Sequence, residues 1–487
     1  MRQQLRPYQI AALQQTRDLI RADKQRILIV APTGAGKTTI AAEIIHGAVE
    51  KGSRVLFLAH RKELIDQCSK RLDEWGVDHG VVQASHWRTR PGMPVQVASV
   101  QSYANRIADG RIKADAALII VDEAHRSMAP SYQRLIAAHP DAVTLGLTAT
   151  PVRQDGQGLG EIYQELILVA QPDELVRDRF LIEPTIYSGA DVDVSGLRRS
   201  RHDYLEQDVA KLMDRPKLIG DVVSHHKRIV GRGKRTVVFA ASVEHSGHLV
   251  ASFAAAGIPA AHVDAETTRE IRDVRLGQLR SGDIEVLCNV GILTEGWDLP
   301  SLDAAILARP TRSIGLYLQM IGRVLRPAPG KARALVLDHG SNVRRMGWPT
   351  ASREWSLETG MVTKSTVAAV TNCPSCGRAI VVGTAECPGC KTDVPVKSRP
   401  PLEVVDGELR EIKAEAAPVP ATPGEMLSAL CGFVVVARRN GMRTDAAGFP
   451  GFAAYRFQER FGRWPTATEM VEAMHRTRLV RRKEAVG

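Results

Sequence analysis

Residues 27–49 read ILIVAPTGAGKTTIAAEIIHGAV. The run Ile27 to Val30 suits a strand buried on both faces, and the apolar spacing from Ile40 onward suits a helix. Between them lie Pro32, Thr33, Gly34, Ala35 and Gly36, followed by Lys37, Thr38 and Thr39. Strand, glycine-bearing loop and helix form the context that a phosphate-binding loop requires. Backbone N–H groups of the loop and the helix N-terminus face a phosphate, Lys37 adds a point charge and Thr38 offers an oxygen to Mg²⁺. Ala31 occupies the place of the first glycine in the strict pattern, so the loop is a variant. A plain glycine turn entering a helix is the weaker alternative, because GKT follows directly on a strand.

A second apolar run, ALIIVDEAHR at 117–126, ends in adjacent carboxylates, Asp122 and Glu123, with His125 close behind. Adjacent carboxylates at a strand end decide nothing alone. Beside a phosphate loop they acquire a purpose: one holds Mg²⁺ and the other activates water for attack on a terminal phosphate. Strands are expected at 27–30, 55–58, 97–100, 118–121 and 143–147, and a second series at 236–239, 260–263, 286–288 and 304–307, alternating with helical stretches. Two such series predict two parallel sheets in an α/β arrangement.

Further segments in order along the chain are LRPYQ (5–9), LAHRKELIDQ (58–67), VASVQS (97–102), GLTATP (146–151), VVFAASVEH (237–245), NVGILTEGWDLP (289–300) and QMIGRVLR (319–326). With the loop and DEAH at 122–125, this series resembles a superfamily 2 DEAH-box helicase or translocase over roughly residues 5–330. The wording is most similar to bacterial RadD-like DNA-repair helicases and phage relatives. The resemblance implies two tandem RecA-like domains with ATP and Mg²⁺ between them. It implies catalytic roles for Lys37, Asp122, Glu123, Arg323 and Arg326. Arg6, Gln9, residues 32–39, Asp122, Gly296 and Asp298 would surround ATP and Mg²⁺. His125, Thr148, Thr150 and Gln319 would couple hydrolysis to movement, and His60, Arg61, Gln101, Ser102, Ser242 and Thr294 would touch nucleic acid. Taken singly, each of these residues suits a solvated or packed role better; their joint order reverses that balance. Trp297 reads equally as core packing and as a nucleic-acid contact.

At 487 residues the chain exceeds one hydrophobic core. Its 65 Lys plus Arg against 54 Asp plus Glu leave a net +11, which favours a polyanionic partner. Seven cysteines include CPSC at 373–376 and CPGC at 387–390, whose Cys373, Cys376, Cys387 and Cys390 have the pattern of one structural Zn²⁺ site, with a small hairpin expected between the knuckles. An iron–sulfur cluster on the same ligands is the lesser alternative.

The expected order is a RecA-like domain at 1–165, a helical connector at 166–230, a second RecA-like domain at 231–345, a zinc-ribbon-like module at 370–392, a proline-rich linker at 393–423 and a basic helical segment at 424–487. In that last segment Tyr455, Phe457, Phe461 and Trp464 interleave with arginine, which suits either base stacking or a small helical core. The expected activity is ATP-driven DNA unwinding or translocation in repair, recombination or replication, by a cytoplasmic protein whose C-terminal segment can also take a protein partner. The alternatives are a restriction-system motor subunit and an ATP-gated nucleic-acid binding or annealing protein that does not translocate. No apolar stretch approaches the roughly 20 residues of a membrane span.

Overall fold

Apolar runs without alternation become strands covered on both faces. The computed structural model describes residues 4–84, 86–153, 156–188, 192–200, 203–294, 296–358, 360–361, 370–394, 422–439, 451–461 and 463–484. The chain divides into two units, Met1–Lys397 and Ser398–Gly487. In the first unit, β1 (Arg26–Val30), β2 (Val55–Ala59), β3 (Gly80–Val82), β4 (Val95–Ser99), β5 (Leu118–Asp122), β6 (Val143–Thr148) and β7 (Glu165–Leu168) form one sheet. Its order is β3-β4-β2-β5-β6-β1-β7, and every neighbouring pair is parallel. A second parallel sheet contains β8 (Pro184–Ser188), β9 (Thr236–Phe239), β10 (Ala260–Val263), β11 (Val286–Asn289), β12 (Ala304–Leu307) and β13 (Ala334–Asp338), in the order β10-β11-β9-β12-β13-β8.

Helices α1 (Pro7–Arg21), α2 (Lys37–Val49), α3 (Lys62–Glu74), α4 (Val100–Ala108) and α5 (Pro130–Ala137) accompany the first sheet. They are followed by α6 (Pro172–Arg177), α7 (Glu206–Met213), α8 (Pro216–His225), α9 (Val243–Ala255), α10 (Arg269–Ser281), α11 (Ile314–Gly322) and α12 (Asn342–Met346). Ile27, Leu28, Ile29 and Val30 have no exposed surface, as expected of a strand between helix layers. Because all strands of a sheet are parallel, the loops after β1, β5 and β6 leave from one edge. That edge carries the phosphate loop, the carboxylate pair and the Thr148–Thr150 turn.

Three local expectations need correction. The stretch 166–230 is more than a helical connector, since it completes β7 and supplies β8, the edge strands of the two sheets. β8 opens on Pro184, a residue tolerated at an edge because it lacks the N–H a central ladder needs. Val100 is the first residue of α4 and not the end of a strand: the Ser99 hydroxyl oxygen accepts from Ser102 N at 3.1 Å and starts the helix. The small hairpin encloses the first cysteine knuckle rather than lying between the two, with β16 (Val370–Asn372) antiparallel to β17 (Ala379–Val381).

After α12 the chain returns to the first sheet. A short ladder of β14 (Trp355–Ser356) and β15 (Gly360–Met361) follows, and Gly160 N donates to Leu357 O at 2.7 Å. Arg353 is buried there, giving its guanidinium protons to the carbonyls of Trp348, Pro349 and Ala351.

The second unit contains α13 (Pro423–Arg439), α14 (Gly451–Phe461) and α15 (Ala467–Glu484), packed around Leu427, Leu430, Val434, Phe457 and Ala473. Two capping boxes start its helices: Thr422 with Glu425 and Thr466 with Glu469. Phe457 and Phe461 belong to this core, whereas Tyr455 and Trp464 are exposed. The expected linker at 393–423 lies almost wholly outside the described residues. Among the described residues no helix is long and apolar enough to cross a membrane.

Candidate functional site

The loop after β1 turns through Gly34 and Gly36, both with left-handed φ of 94° and 87°. Gly36 caps α2, so the helix N-terminus, with its unpaired N–H groups, points into the turn. A side chain on Gly36 would strike Gln9 Nε2 at 2.4 Å. That amide donates to Ala35 O at 2.8 Å, while Gln9 Oε1 accepts from Arg6 N at 2.9 Å. Arg6 lies 4.3 Å above the Phe180 ring and donates to the Tyr8 hydroxyl at 2.7 Å. Tyr8 and Phe180 pack edge to face. Tyr8 and Phe180 were not singled out in the sequence. Tyr8 was legible as the neighbour of Gln9 in LRPYQ, but nothing near Phe180 marks it.

Asp122 ends β5 and Glu123 follows it, both buried, and Lys37 Nζ lies 3.1 Å from Glu123 Oε1. Glu123 has a left-handed φ of 50°, a conformation costing a non-glycine residue on the order of 1–3 kcal/mol. Asp122 Oδ1 accepts from Glu123 N at 3.0 Å and fixes the turn. The other carboxylate oxygen of Glu123 is 3.4 Å from His125 Nδ1, which is also 3.4 Å from Thr148 Oγ1. Thr148 in turn donates to Thr150 O at 2.8 Å. Thr33, Thr38, Asp122 and Glu123 line a cavity of about 350 Å³ together with Gly296, Asp298, Gln319, Arg323 and Arg326 of the second half. Asp122 and Thr38 supply hard oxygen donors there, a set suited to a divalent cation such as Mg²⁺.

The second half meets the loop closely, since a Cβ on Gly322 would lie 2.5 Å from Thr33 Cβ. Arg323 is buried and donates to the carbonyls of Thr294 and Trp297, and Arg326 pairs with Asp298. Trp297 is itself buried. Arg61 donates to Gly291 O at 3.0 Å and Ile292 O at 2.9 Å, and Gln67 donates to Gly296 O at 2.7 Å, joining the two halves.

A second cavity of about 690 Å³ is lined by Arg61, His125, Thr150, Thr294 and Gln319. Gln319 lines both cavities. Of the other residues expected on a nucleic-acid path, Ser242 caps α9 by accepting from His245 N at 3.1 Å. Gln101 is exposed and Ser102 half-buried in the first turn of α4. His60 immediately follows β2.

The sulfurs of Cys373, Cys376, Cys387 and Cys390 all lie within 4.8 Å of one another. Cys373 and Cys390 are 3.5 Å apart and Cys376 and Cys387 3.7 Å, too long for disulfides. Tetrahedral zinc with Zn–S of about 2.3 Å requires sulfurs about 3.8 Å apart, so the cluster fits a Zn²⁺ ion. Gly389 N donates to Cys387 Sγ at 3.4 Å, stabilising thiolate charge, and a hydrogen bond from Thr392 brings the Cys390 thiol down to about 6.

Comparison with known proteins bears on the family and the fold. Residues 2–153 match the family described as type III restriction enzyme, res subunit, and residues 219–328 match the helicase conserved C-terminal domain. A 51.5 kDa protein of a Lactococcus phage is 33% identical over 392 residues, covering 80% of this chain and 82% of the phage protein. The candidate ATP-dependent helicase IRC3 of Saccharomyces cerevisiae is 30% identical over 353 residues, 69% of this chain, which spans about half (51%) of the yeast protein. Among solved structures, a fragment of a candidate HsdR subunit of a type I restriction enzyme from Vibrio vulnificus aligns with TM-score 0.56 at 19% identity, covering 73% of this chain and 70% of the fragment. This last likeness bears on the fold alone. The chain belongs to the superfamily 2 helicases and translocases.

Proposed function

We propose that the protein hydrolyses Mg²⁺-bound ATP to move along nucleic acid, and that its track is DNA undergoing repair, recombination or replication. The observation that carries this reading is the contact of Gly322 with Thr33, which puts the phosphate loop, Glu123 and two arginines of the second half around one cavity. The loop N–H groups and Lys37 bind the phosphates, and Gln9 with Arg6 holds the adenine end beside Tyr8 and Phe180. Asp122 and Thr38 would hold Mg²⁺, which when bound neutralises phosphate charge.

Water attacks the γ-phosphorus in line, the bond from that phosphorus to its bridging oxygen breaks, ADP departs and Glu123 takes the water's proton. Lys37 balances Glu123 at 3.1 Å, so a phosphate that attracts Lys37 releases the base. Arg326 must exchange Asp298 for the transferring phosphoryl group, while Arg323 ties the carbonyls of Thr294 and Trp297 to the same cavity. Gln319, His125, Thr148 and Thr150 then carry the nucleotide state to the second cavity, where we place nucleic acid against His60, Arg61 and Thr294, with Gln101, Ser102 and Ser242 further along. Closure on ATP and opening after hydrolysis give a step. One structural Zn²⁺ completes the inventory.

ATPase rates with single-stranded DNA, duplex, forked DNA and RNA side by side test the reading, together with displacement of a triplex-forming strand. Stimulation by DNA with strand displacement is expected. Stimulation by RNA alone would overturn the DNA track, and stimulation without displacement would make the protein an ATP-gated binder. The match to restriction subunits favours a second reading as a restriction motor, in which a nuclease subunit copurifies from the native host.

A further inference from the structure

We infer that Trp87 is a stacking platform for an unpaired base, outside the motifs that define the family. Trp87 is 77% exposed, unusual for a residue that is mostly buried in folded proteins. It sits between β3 and β4, where residues 86–94 are tied down by hydrogen bonds. Arg88 O accepts from Val81 N at 2.9 Å, and its guanidinium forks onto Asp73 of α3 at 2.6 and 3.0 Å. The same guanidinium reaches His79 Nε2 at 2.7 Å. Gln96 donates to Arg90 O and Met93 O, both at 2.9 Å, closing the far side of the loop. These bonds hold an indole out in solvent, where an unsupported loop would let it collapse.

The surroundings favour an anionic partner. Arg88 lies 4.6 Å from the indole centroid and His86 stacks at 5.8 Å, so the ring is already flanked by cationic or polar groups rather than by apolar ones. Trp87 borders a shallow hollow of about 400 Å³ whose floor is α3, through Lys62 and Lys70, and whose far wall is Arg269 of α10 in the second half. The two lysines are two helical turns apart on one face of α3, about 12 Å. Asp66 and Asp73 of the same face are engaged by Arg269 and Arg88, which leaves the rim net basic. Lys62 directly follows His60 and Arg61, so the hollow continues the proposed strand path. An aromatic ring and two cations about 12 Å apart on one hollow suit a single strand of nucleic acid, with a base on Trp87 and phosphates on Lys62 and Lys70.

This inference rests on the nucleic-acid reading above, and the experiment separates the two. Binding of a fluorescein-labelled oligothymidylate to the full chain is measured by anisotropy over a range of salt, alongside an abasic oligonucleotide of the same length. Trp87→Ala should weaken oligothymidylate binding about 5- to 150-fold, the effect of losing one stacked base, with the salt slope unchanged. Trp87→Phe should recover most of the affinity, and on the abasic strand the ratio of wild type to Trp87→Ala should fall toward one. Replacing both Lys62 and Lys70 by Ala should instead flatten the slope by about 0.7 per lost phosphate. Unchanged unfolding temperatures keep misfolding out of the comparison. If the wild type binds and Trp87→Ala binds within twofold of it, or loses equally on the abasic strand, Trp87 is no base platform and the surface serves a protein or nothing. If the wild type binds no nucleic acid, the helicase reading fails and takes this inference with it.

Discussion

At Glu123 a carboxylate is held in a left-handed backbone turn, buried, and balanced by Lys37. Strain of this kind, at a buried carboxylate beside the phosphate loop, fits a side chain that must be aimed at a water. Glu123→Gln keeps the shape and removes the proposed base. ATP hydrolysis should fall by at least about 100-fold, the usual contribution of a general base, while affinity for a fluorescent ATP analogue is kept or improved. Near-normal turnover by this variant would move the base elsewhere. The loop and carboxylates were legible because their chemistry forces adjacent residues into fixed order, as in GAGKT and DEAH. Phe180 was not, because it reaches the site through tertiary packing alone, lying 5.4 Å from Tyr8 across more than 170 residues of chain. Ser242 shows a further limit: a serine at a helix start satisfies the backbone whether or not it also meets a ligand.

Central strands such as β1 and β5 announce themselves as unbroken apolar runs, whereas the edge strands β3, β7 and β8 carry shorter or interrupted ones. The hairpin of the cysteine module has the same character. Its place in the fold is set by β8: Asn372 Nδ2 donates to Ser188 O at 2.7 Å, Arg378 reaches Thr185 Oγ1 at 3.3 Å, and Tyr187 bridges to Arg378. The module therefore covers the edge of the second sheet. Cys376→Ser should abolish the one zinc per chain proposed for this cluster, and since structural zinc contributes roughly 10–16 kcal/mol to small modules, the hairpin should open. β8 then loses its cover but keeps its ladder to β13, so the unfolding temperature should drop while DNA-stimulated ATPase at low temperature survives. Metal analysis, thermal unfolding and ATPase on the same preparation check this. Iron with a visible chromophore would reassign the cluster, and loss of ATPase at low temperature would show that the second sheet needs the module to hold its shape.

Across the molecule, charge distribution governs both acid sensitivity and reach. Burial lowers the basicity of three histidines of the second half, His226 and His245 to about 4 and His339 to about 3. All three stay neutral when folded and gain protons at about 6.5 when unfolded, so their contribution is complete above that pH and is lost as pH falls toward 4, by about 1.4 kcal/mol per pH unit for each. The unfolding temperature should fall steeply below about pH 6. His245→Asn should make that fall shallower, and an unaltered profile would place the acid sensitivity elsewhere.

The helical unit poses the opposite case, charge that is exposed. From Pro418 onward the chain has 11 Arg plus Lys and 6 Asp plus Glu, so this stretch supplies +5 of the net +11. Its core uses Phe457 and leaves Tyr455 and Trp464 at 59% and 56% exposure, so two aromatic faces are exposed in a segment rich in arginine. If the unit holds DNA, each phosphate it neutralises releases counterions, and truncation after Ala417 should flatten the salt dependence of single-strand binding by about 0.7 per lost contact. Trp464→Ala in the full chain should weaken binding by about 1–3 kcal/mol with the slope unchanged, because stacking displaces no ions. Anisotropy over a salt series distinguishes these results. A truncated protein with the affinity and slope of the full chain would leave the helical unit as a structural or partner-binding element.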